Sequence, residues 1–217
     1  MCMNSKPDLK RIQAFWQQIE LTLDQLLQSQ QEMQFDAESL LNTYRDSLQK
    51  IDRNLTFHFE REHEEGPVEM IFGCDGYPES IHSVLSVVGA APELNGISFR
   101  AFNHRYDPIP SCVNMGEELC EIHDFWCSLR IINGKMQLAI YLKDAPKILE
   151  MDPRVEAVMI FLDALIGEYE LMTRVWALDW CELPDEPVDF GLIPLQQLRL
   201  AFDRMKDDVQ PVGITIH

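Results

Sequence analysis

One apolar stretch, residues 155–180, constrains the fold of this 217-residue chain more than any other. Its first part, Val155 to Ile166, is apolar around nearly the whole circumference of a helix, which is typical of a helix buried in a core. Gly167 ends that helix. We then predict a strand over Leu171–Trp180, with apolar residues on both faces as in an internal strand. Together these two elements require a packed core built from both helix and sheet.

The N-terminal residues show a different period. Apolar residues recur at spacings of three and four in two successive stripes, and each stripe predicts an amphipathic helix. We expect these helices to form an antiparallel hairpin over residues 1–52 that packs on the rest of the chain, with a dimerisation or docking arm as the alternative. The first stripe is Leu9, Ile12, Trp16, Ile19, Leu23 and Leu26, and the second is Ala37, Leu41, Tyr44, Leu48 and Ile51.

Strand signals begin at Leu55, where apolar and polar residues start to alternate. The sharpest is Asn133-Gly134 between two β-rich runs, because both residues of a type I′ hairpin turn need positive φ. Asp152 followed by Pro153 predicts the capped start of the buried helix. Further strands are predicted over 68–72, 97–102 and 119–122, further helices from Pro78 and over 195–205, and a short strand or frayed end over 212–216.

This order of elements predicts an α+β protein. An N-terminal helical hairpin is followed by a mixed, mostly antiparallel sheet with helices packed on one face. We predict a division into the hairpin, residues 1–52, and an α+β domain, residues 53–217. The regular alternation of strand and helix in a dinucleotide-binding fold is missing, so no nucleotide crevice is implied.

The charge excludes several classes of function. The formal net charge is −18, and no run of lysine and arginine occurs, which argues against nucleic-acid binding and against an anionic membrane surface. No apolar run reaches the ~20 residues that a membrane span needs. The charge suits either simple solubility or a basic protein partner drawn in by the field.

The cysteines indicate a reducing compartment. The six cysteines are irregularly spaced without a CxxC pair, and no apolar signal region follows Met1. Mostly buried thiols in the cytoplasm are the simplest interpretation.

Candidate catalytic residues are few. The Gly73–Gly76 loop joins a strand to a helix, but it lacks both the GxGxxG spacing and a lysine, so a tight turn is favoured over a phosphate cradle. No GxSxG elbow occurs. The best constellation for an enzyme is Asp75, His82, His104 and His123, of which His104 lies in a long loop where functional residues concentrate.

Candidate metal ligands and paired carboxylates are also few. His58 and His63 lie among carboxylates and are candidate metal ligands, although a charged, solvated strand edge is favoured as the explanation for them. Of Cys112, Cys120 and His123, with His104 upstream, only Cys120 and His123 have the tight spacing of a zinc site, and a strand would point them to opposite faces. A chance cluster of buried thiols is favoured, and no cofactor is implied. Two further carboxylates, Glu168 and Glu170, would share one face of a strand and could do acid–base work, or simply form a hydrated turn. We expect Trp126, Trp176 and Trp180 to lie in the core or on the face of the sheet, whereas an exposed pair of tryptophans on this sheet would mark an interface.

A resemblance rests on two strings and two smaller features. Residues 90–96 (AAPELNG) and 161–170 (FLDALIGEYE), with Phe15-Trp16 and the Cys74-Asp75-Gly76 junction, resemble a family of uncharacterised bacterial cytosolic proteins. The resemblance implies an α+β fold. It implies no catalytic residue to carry over.

The leading hypothesis is therefore a non-enzymatic, cytoplasmic protein-binding module of adaptor or immunity type. The alternative is a small-molecule enzyme with a site near the Gly73–Gly76 loop, His104 and His123. A third hypothesis is a homodimer formed through the N-terminal helices.

Overall fold

A computed structural model describes residues 8–31, 37–61, 66–116, 118–209 and 211 of the chain. Contacts divide the chain into two compact units, Met1–Phe102 and Asn103–His217. The helical hairpin predicted over residues 1–52 lies within the first of these units. The predicted ligand His63 and the predicted C-terminal strand over 212–216 lie outside the described residues.

The first unit contains three helices and three strands in its described residues. They are α1 Leu9–Gln31, α2 Ala37–Gln49, β1 Thr56–Glu60, β2 Val68–Gly73, α3 Ile81–Gly89 and β3 Ile97–Ala101. The strands form one sheet in the order β1-β2-β3, with β1 antiparallel and β3 parallel to β2.

An aromatic cluster explains why the N-terminal helices belong to this unit. The Trp16 ring on α1 packs edge-on against Phe72 of β2, with ring centroids 5.6 Å apart, and against Phe99 of β3 at 4.6 Å. The Trp16 indole Nε1 donates a 2.9 Å hydrogen bond to the Val87 carbonyl oxygen of α3. On α2, Tyr44 is fully buried and lies against Phe57 of β1. The helices and the sheet of this unit thus share one core.

The second unit contains three helices and six strands in its described part. They are β4 Cys112–Met115, β5 Glu118–Glu121, β6 Trp126–Ile132, β7 Lys135–Leu142, α4 Pro153–Ile166, α5 Glu168–Arg174, β8 Val175–Glu182, β9 Ile193–Pro194 and α6 Leu198–Met205. A two-stranded sheet joins β4 to β5, and a four-stranded sheet has the order β8-β7-β6-β9.

Two local predictions in this unit are confirmed. Asn133 and Gly134 have φ of 55° and 74°, as a type I′ turn requires, and they pair Ile132 with Lys135 in the β6–β7 hairpin. Asp152 caps α4 by accepting a 2.9 Å hydrogen bond from the Arg154 backbone N–H, with Pro153 at the first helical position.

The prediction for residues 171–180 is partly wrong. The chain forms a second helix, α5, directly after Gly167, and the strand β8 begins only at Val175. Gly167 has φ of 92°, which a side chain disfavours, and this residue separates α4 from α5. β8 is also not internal, because it lies at the end of the strand order among the described strands.

The predicted α+β class is confirmed, with helices and mixed sheets in both units. Four of the six strand pairs in the described residues are antiparallel, so pairing is mostly antiparallel. The described helices include none that is both long and apolar enough to cross a membrane.

Candidate functional site

The second unit carries a groove formed by two adjoining hollows. The first has a volume of about 300 Å³ and lies where β5, β6 and β7 meet the start of α4. Buried Phe125 and Leu142 contribute to its lining, with half-buried Trp126 and Leu183 and exposed Leu119 beside them. The second hollow, about 380 Å³ and more open, is lined by Pro146, Ile148, Met151, Asp152 and Pro153, and it shares Glu118 and Arg154 with the first.

Several exposed apolar side chains line this groove. Of the nine large apolar side chains that are exposed in the described part of the second unit, three line the groove: Leu119, Ile148 and Met151, which are 58%, 56% and 78% exposed. Two more, Val188 and Phe190, lie in the acidic segment described next. A cluster of exposed apolar side chains with a polar rim is typical of a binding surface.

The acidic segment, Leu183–Gly191, begins at the wall of the groove. Its first residue lines the first hollow, and the Leu183 backbone N–H donates to the Leu142 carbonyl oxygen over 3.0 Å. The chain then makes a 3₁₀ turn over Pro187–Phe190 and returns through β9, which pairs with the first two residues of β6. The first residue of the segment is therefore hydrogen-bonded to β7, and the strand that follows the segment, β9, is paired with β6.

The middle of the acidic segment exposes apolar and acidic groups together. Val188 is 71% and Phe190 65% exposed, and Asp185, Glu186 and Asp189 beside them are exposed carboxylates. A 2.9 Å hydrogen bond from the Gly191 N–H to the Val188 carbonyl oxygen closes the turn. The segment thus presents an exposed aromatic side chain among negative charges.

Arg154 links several parts of the groove through its guanidinium group. Its guanidinium forms an ion pair with Asp152, with 2.7 Å between Nη2 and Oδ2, and donates to the carbonyl oxygens of Lys143 and Asp144 over 2.7 Å and 3.0 Å. The hydrogen bonds from Arg154 hold the pKa of Asp152 below its ordinary value, and Asp152 in turn raises the pKa of Arg154. Because these partners occupy its charge, Arg154 shapes the groove and contributes little net positive field.

A second carboxylate fixes the loop after β7. The two side-chain oxygens of Glu182 accept hydrogen bonds from the backbone N–H groups of Asp144 and Ala145, over 2.8 Å and 2.7 Å. With Arg154 holding carbonyl oxygens of the same loop, the loop is fixed by charged side chains at both its N–H groups and its carbonyl oxygens.

The groove offers no activated thiol among its described residues. Cys120 lines the first hollow, but burial raises its pKa, with the Glu118 charge adding to the effect. Its thiol therefore stays protonated and is a poor nucleophile at neutral pH.

A second polar cluster in this unit is buried at the α4–α5 junction. The Asn103 backbone N–H donates to the Glu168 side chain over 3.0 Å, the Glu168 backbone N–H donates to the Asn103 carbonyl oxygen, also over 3.0 Å, and the Asn103 amide donates to Asp163 over 3.2 Å. Burial raises the pKa of Asp163 to about 7, assisted by the nearby charge of Glu168. This cluster fastens the chain at residue 103 to two helix ends.

The predicted site residues of the first unit lie on its surface. Asp75 and Gly76 both have positive φ, and a 2.9 Å hydrogen bond from the Tyr77 N–H to the Cys74 carbonyl oxygen closes a tight turn there. His82 is exposed on α3. His58 is also exposed, with its Nε2 atom 3.5 Å from a Glu60 carboxylate oxygen.

In the second unit His123 lines the groove, whereas His104 does not and stacks on Tyr106 instead, with ring centroids 5.2 Å apart. Cys112 is exposed and Cys120 buried on paired strands, so the two do not form the start of a zinc site. Trp176 is half-exposed under the Lys135 ammonium, 4.2 Å from its ring centre, whereas Trp180 packs against the core.

The carboxylates at 168 and 170 belong to a helix, which corrects their predicted strand setting. Glu168 is buried in the Asn103 cluster, and Glu170 accepts from Arg105 over 2.6 Å and from Lys206 over 3.1 Å. Both are therefore occupied in holding the fold.

One cluster has the composition of a cation site. Glu121, His123 and Asp124 offer ligand atoms within 4.8 Å of one another at the groove edge. The His123 Nε2 atom lies 3.1 Å from Glu121 and 3.6 Å from Asp124. These contacts account for the proximity of the three side chains without an ion.

The chain matches no protein-family model, and no similar curated protein or solved structure was found. The resemblance to uncharacterised bacterial proteins therefore stays a prediction. The groove itself was not predicted, since its residues come from separate segments. The signal closest to it was the acidic, proline-rich stretch after β8, in which Val188 and Phe190 stand out as apolar residues among carboxylates.

Proposed function

We propose that the protein is a non-enzymatic, cytoplasmic protein-binding module whose partner is basic. The observation that carries this proposal is the acidic segment, where Val188 and Phe190 are 71% and 65% exposed beside three exposed carboxylates. Aromatic side chains are enriched among the residues that dominate binding energy, and carboxylates around them select a positively charged surface.

Two further observations support the proposal. The formal net charge of −18 steers cationic proteins toward the molecule and speeds their association. None of the five cysteines in the described residues forms a disulfide, which is in keeping with a reducing compartment.

The proposal is tested by affinity capture from a lysate of the native host. We expect the immobilised full chain to retain one basic protein in stoichiometric amount, and to release it in about 1 M salt, where the Debye length is about 3 Å. The variant Val188→Ser/Phe190→Ser should lose this protein. Leu200→Ser is the matched control, because Leu200 is 58% exposed on α6, away from the acidic segment in sequence. A wild-type chain that retains no stoichiometric partner, or a double variant that retains it as well as Leu200→Ser does, contradicts the proposal.

The alternatives stay predictions. A small-molecule enzyme would need Asp75 and His82 of the first unit and His104 and His123 of the second to act on one substrate, and His123 is the one of the four that lines the groove. Self-association through α1 and α2 is measured by light scattering before and after deletion of residues 1–52. An unchanged number of chains per particle would end that hypothesis.

A further inference from the structure

We infer that the groove is the docking site for a short partner segment in which an apolar side chain lies between lysine or arginine residues. This inference rests on the proposed protein-binding function and names the surface and the chemistry of the partner.

The apolar part of the inference comes from the groove lining. Phe125 and Leu142, 2% and 1% exposed, contribute to the first hollow, and Leu119, Ile148 and Met151 expose most of their surface along the two hollows. An apolar side chain seated there would remove these exposed groups from water. Met151, with three rotatable bonds and a polarisable sulfur, can adapt to its shape.

The size of the hollows limits the occupant. At about 300 and 380 Å³ they lie at the lower end of the roughly 300–1,000 Å³ that ligand pockets span. One or two side chains of a peptide fit each hollow. Their arrangement as two connected hollows that share Glu118 and Arg154 suits successive side chains of one segment.

The charge of the surroundings selects cations. The three segments that build the groove and its acidic border, residues 118–126, 142–154 and 182–191, hold ten carboxylate residues against three lysines and arginines, a formal charge of −7. Two of those three, Lys143 and Arg154, line the first hollow, and the charges of Arg154 and Asp152 offset each other in an ion pair at 2.7 Å. Lysine or arginine side chains beside an apolar anchor would meet this field favourably.

The same charge argues against a second copy of this chain as the occupant. Two copies would each carry a formal net charge of −18, and their grooves would bring like charges together as water is excluded. A basic partner avoids this repulsion and is attracted by the same negative charges.

The test uses defined peptides and the full chain. The probe is a short synthetic peptide in which leucines alternate with lysines, titrated into the protein while amide signals are followed by NMR. One control peptide has glutamate in place of lysine, and the other has serine in place of leucine. We expect the lysine–leucine peptide to bind best and to shift the amide signals of Leu119 and Met151.

Two protein variants complete the test. Leu119→Asn/Met151→Gln should lower the affinity for the lysine–leucine peptide by about tenfold or more, whereas Leu200→Gln should leave that affinity unchanged. Because the replaced side chains are exposed, thermal unfolding should show both variants folded. Equal binding of the lysine–serine peptide, signal shifts away from the groove, or full affinity in Leu119→Asn/Met151→Gln would overturn the inference.

The two proposals fail separately. If the host protein is lost with Val188→Ser/Phe190→Ser but retained by Leu119→Asn/Met151→Gln, the protein-binding function stands and the groove is not its docking site. If the wild-type chain retains no host protein, the proposed function fails first.

Discussion

At the α4–α5 junction of the second unit, Glu168 is buried and Asp163 half-buried, whereas Glu118 and Asp124 at the groove are exposed. The junction carboxylates accept hydrogen bonds from the Asn103 backbone and side chain. The groove carboxylates face solvent beside exposed apolar groups. The same chemical group thus holds the chain together where it is buried, and is available to a partner where it is exposed.

This difference has an energetic basis. A buried carboxylate loses its hydration, so it must be hydrogen-bonded, paired or protonated. An exposed carboxylate keeps its hydration, contributes little to stability and acts through its field. Substitutions in the two regions should therefore separate stability from binding.

The largest effect is expected for Asp163→Asn, measured as the pH dependence of stability. The pKa of Asp163 is about 7 when folded and near its ordinary value of 3.8 when unfolded. The folded state therefore binds the proton more tightly, and stability that is fully present below about pH 4 is lost as pH rises through 7, by about 4 kcal/mol at most. Asparagine cannot ionise, so the variant should lack this loss and be the more stable protein at pH 8.

Chemical denaturation of both proteins at a series of pH values from 4 to 8 checks this expectation. The difference between the two curves isolates the contribution of Asp163 from those of other groups. Parallel curves would show that this carboxyl does not titrate in the expected range.

A smaller effect is expected for Arg154→Lys. This substitution sharpens the comparison because Arg154 both lines the groove and holds part of the fold together. It lines the groove, but its fork holds Asp152 and two loop carbonyl oxygens. Lysine cannot reproduce this planar set of donors, so we expect a loss of about 1–2 kcal/mol in the free energy of unfolding. The pKa of Asp152 should rise, because the hydrogen bonds that lower it are lost.

Urea denaturation measures the loss, and Arg130→Lys serves as the control because Arg130 is exposed on β6. If both variants unfold at the same urea concentration as the wild type, Arg154 does not hold the groove wall.

The fold was predictable wherever a signal was local. Asn133-Gly134 and Asp152-Pro153 need only their own backbone preferences, and both form as predicted. The prediction of a strand over residues 171–180 was partly wrong, because a short run of apolar residues fits a buried helix and a buried strand equally well. The signal that could have corrected it was electrostatic, since Glu168 and Glu170 in the first turn and Arg174 in the last suit the helix dipole.

The groove was not predictable from the sequence because no single segment contains it. Leu119, Ile148 and Leu183 are far apart along the chain, and their placement depends on the pairing of β5, β6 and β7 and on the loop after β8. Nor can a sequence say that Met151 is exposed while Met136 is fully buried. The acidic composition alone was visible, and it indicated the charge of a partner without indicating where the partner binds.

The smallest effect on stability, and the clearest on binding, is expected for Glu118→Gln/Asp124→Asn. Both side chains are exposed, so the free energy of unfolding should change by less than about 0.5 kcal/mol. Removing two negative charges should nevertheless lower the affinity for the lysine–leucine peptide and make that affinity less dependent on salt concentration. Urea denaturation and peptide titrations at two salt concentrations measure the two quantities. A variant that loses stability but keeps its affinity for the peptide would reverse the division between the two regions, because exposed carboxylates would then be supporting the fold.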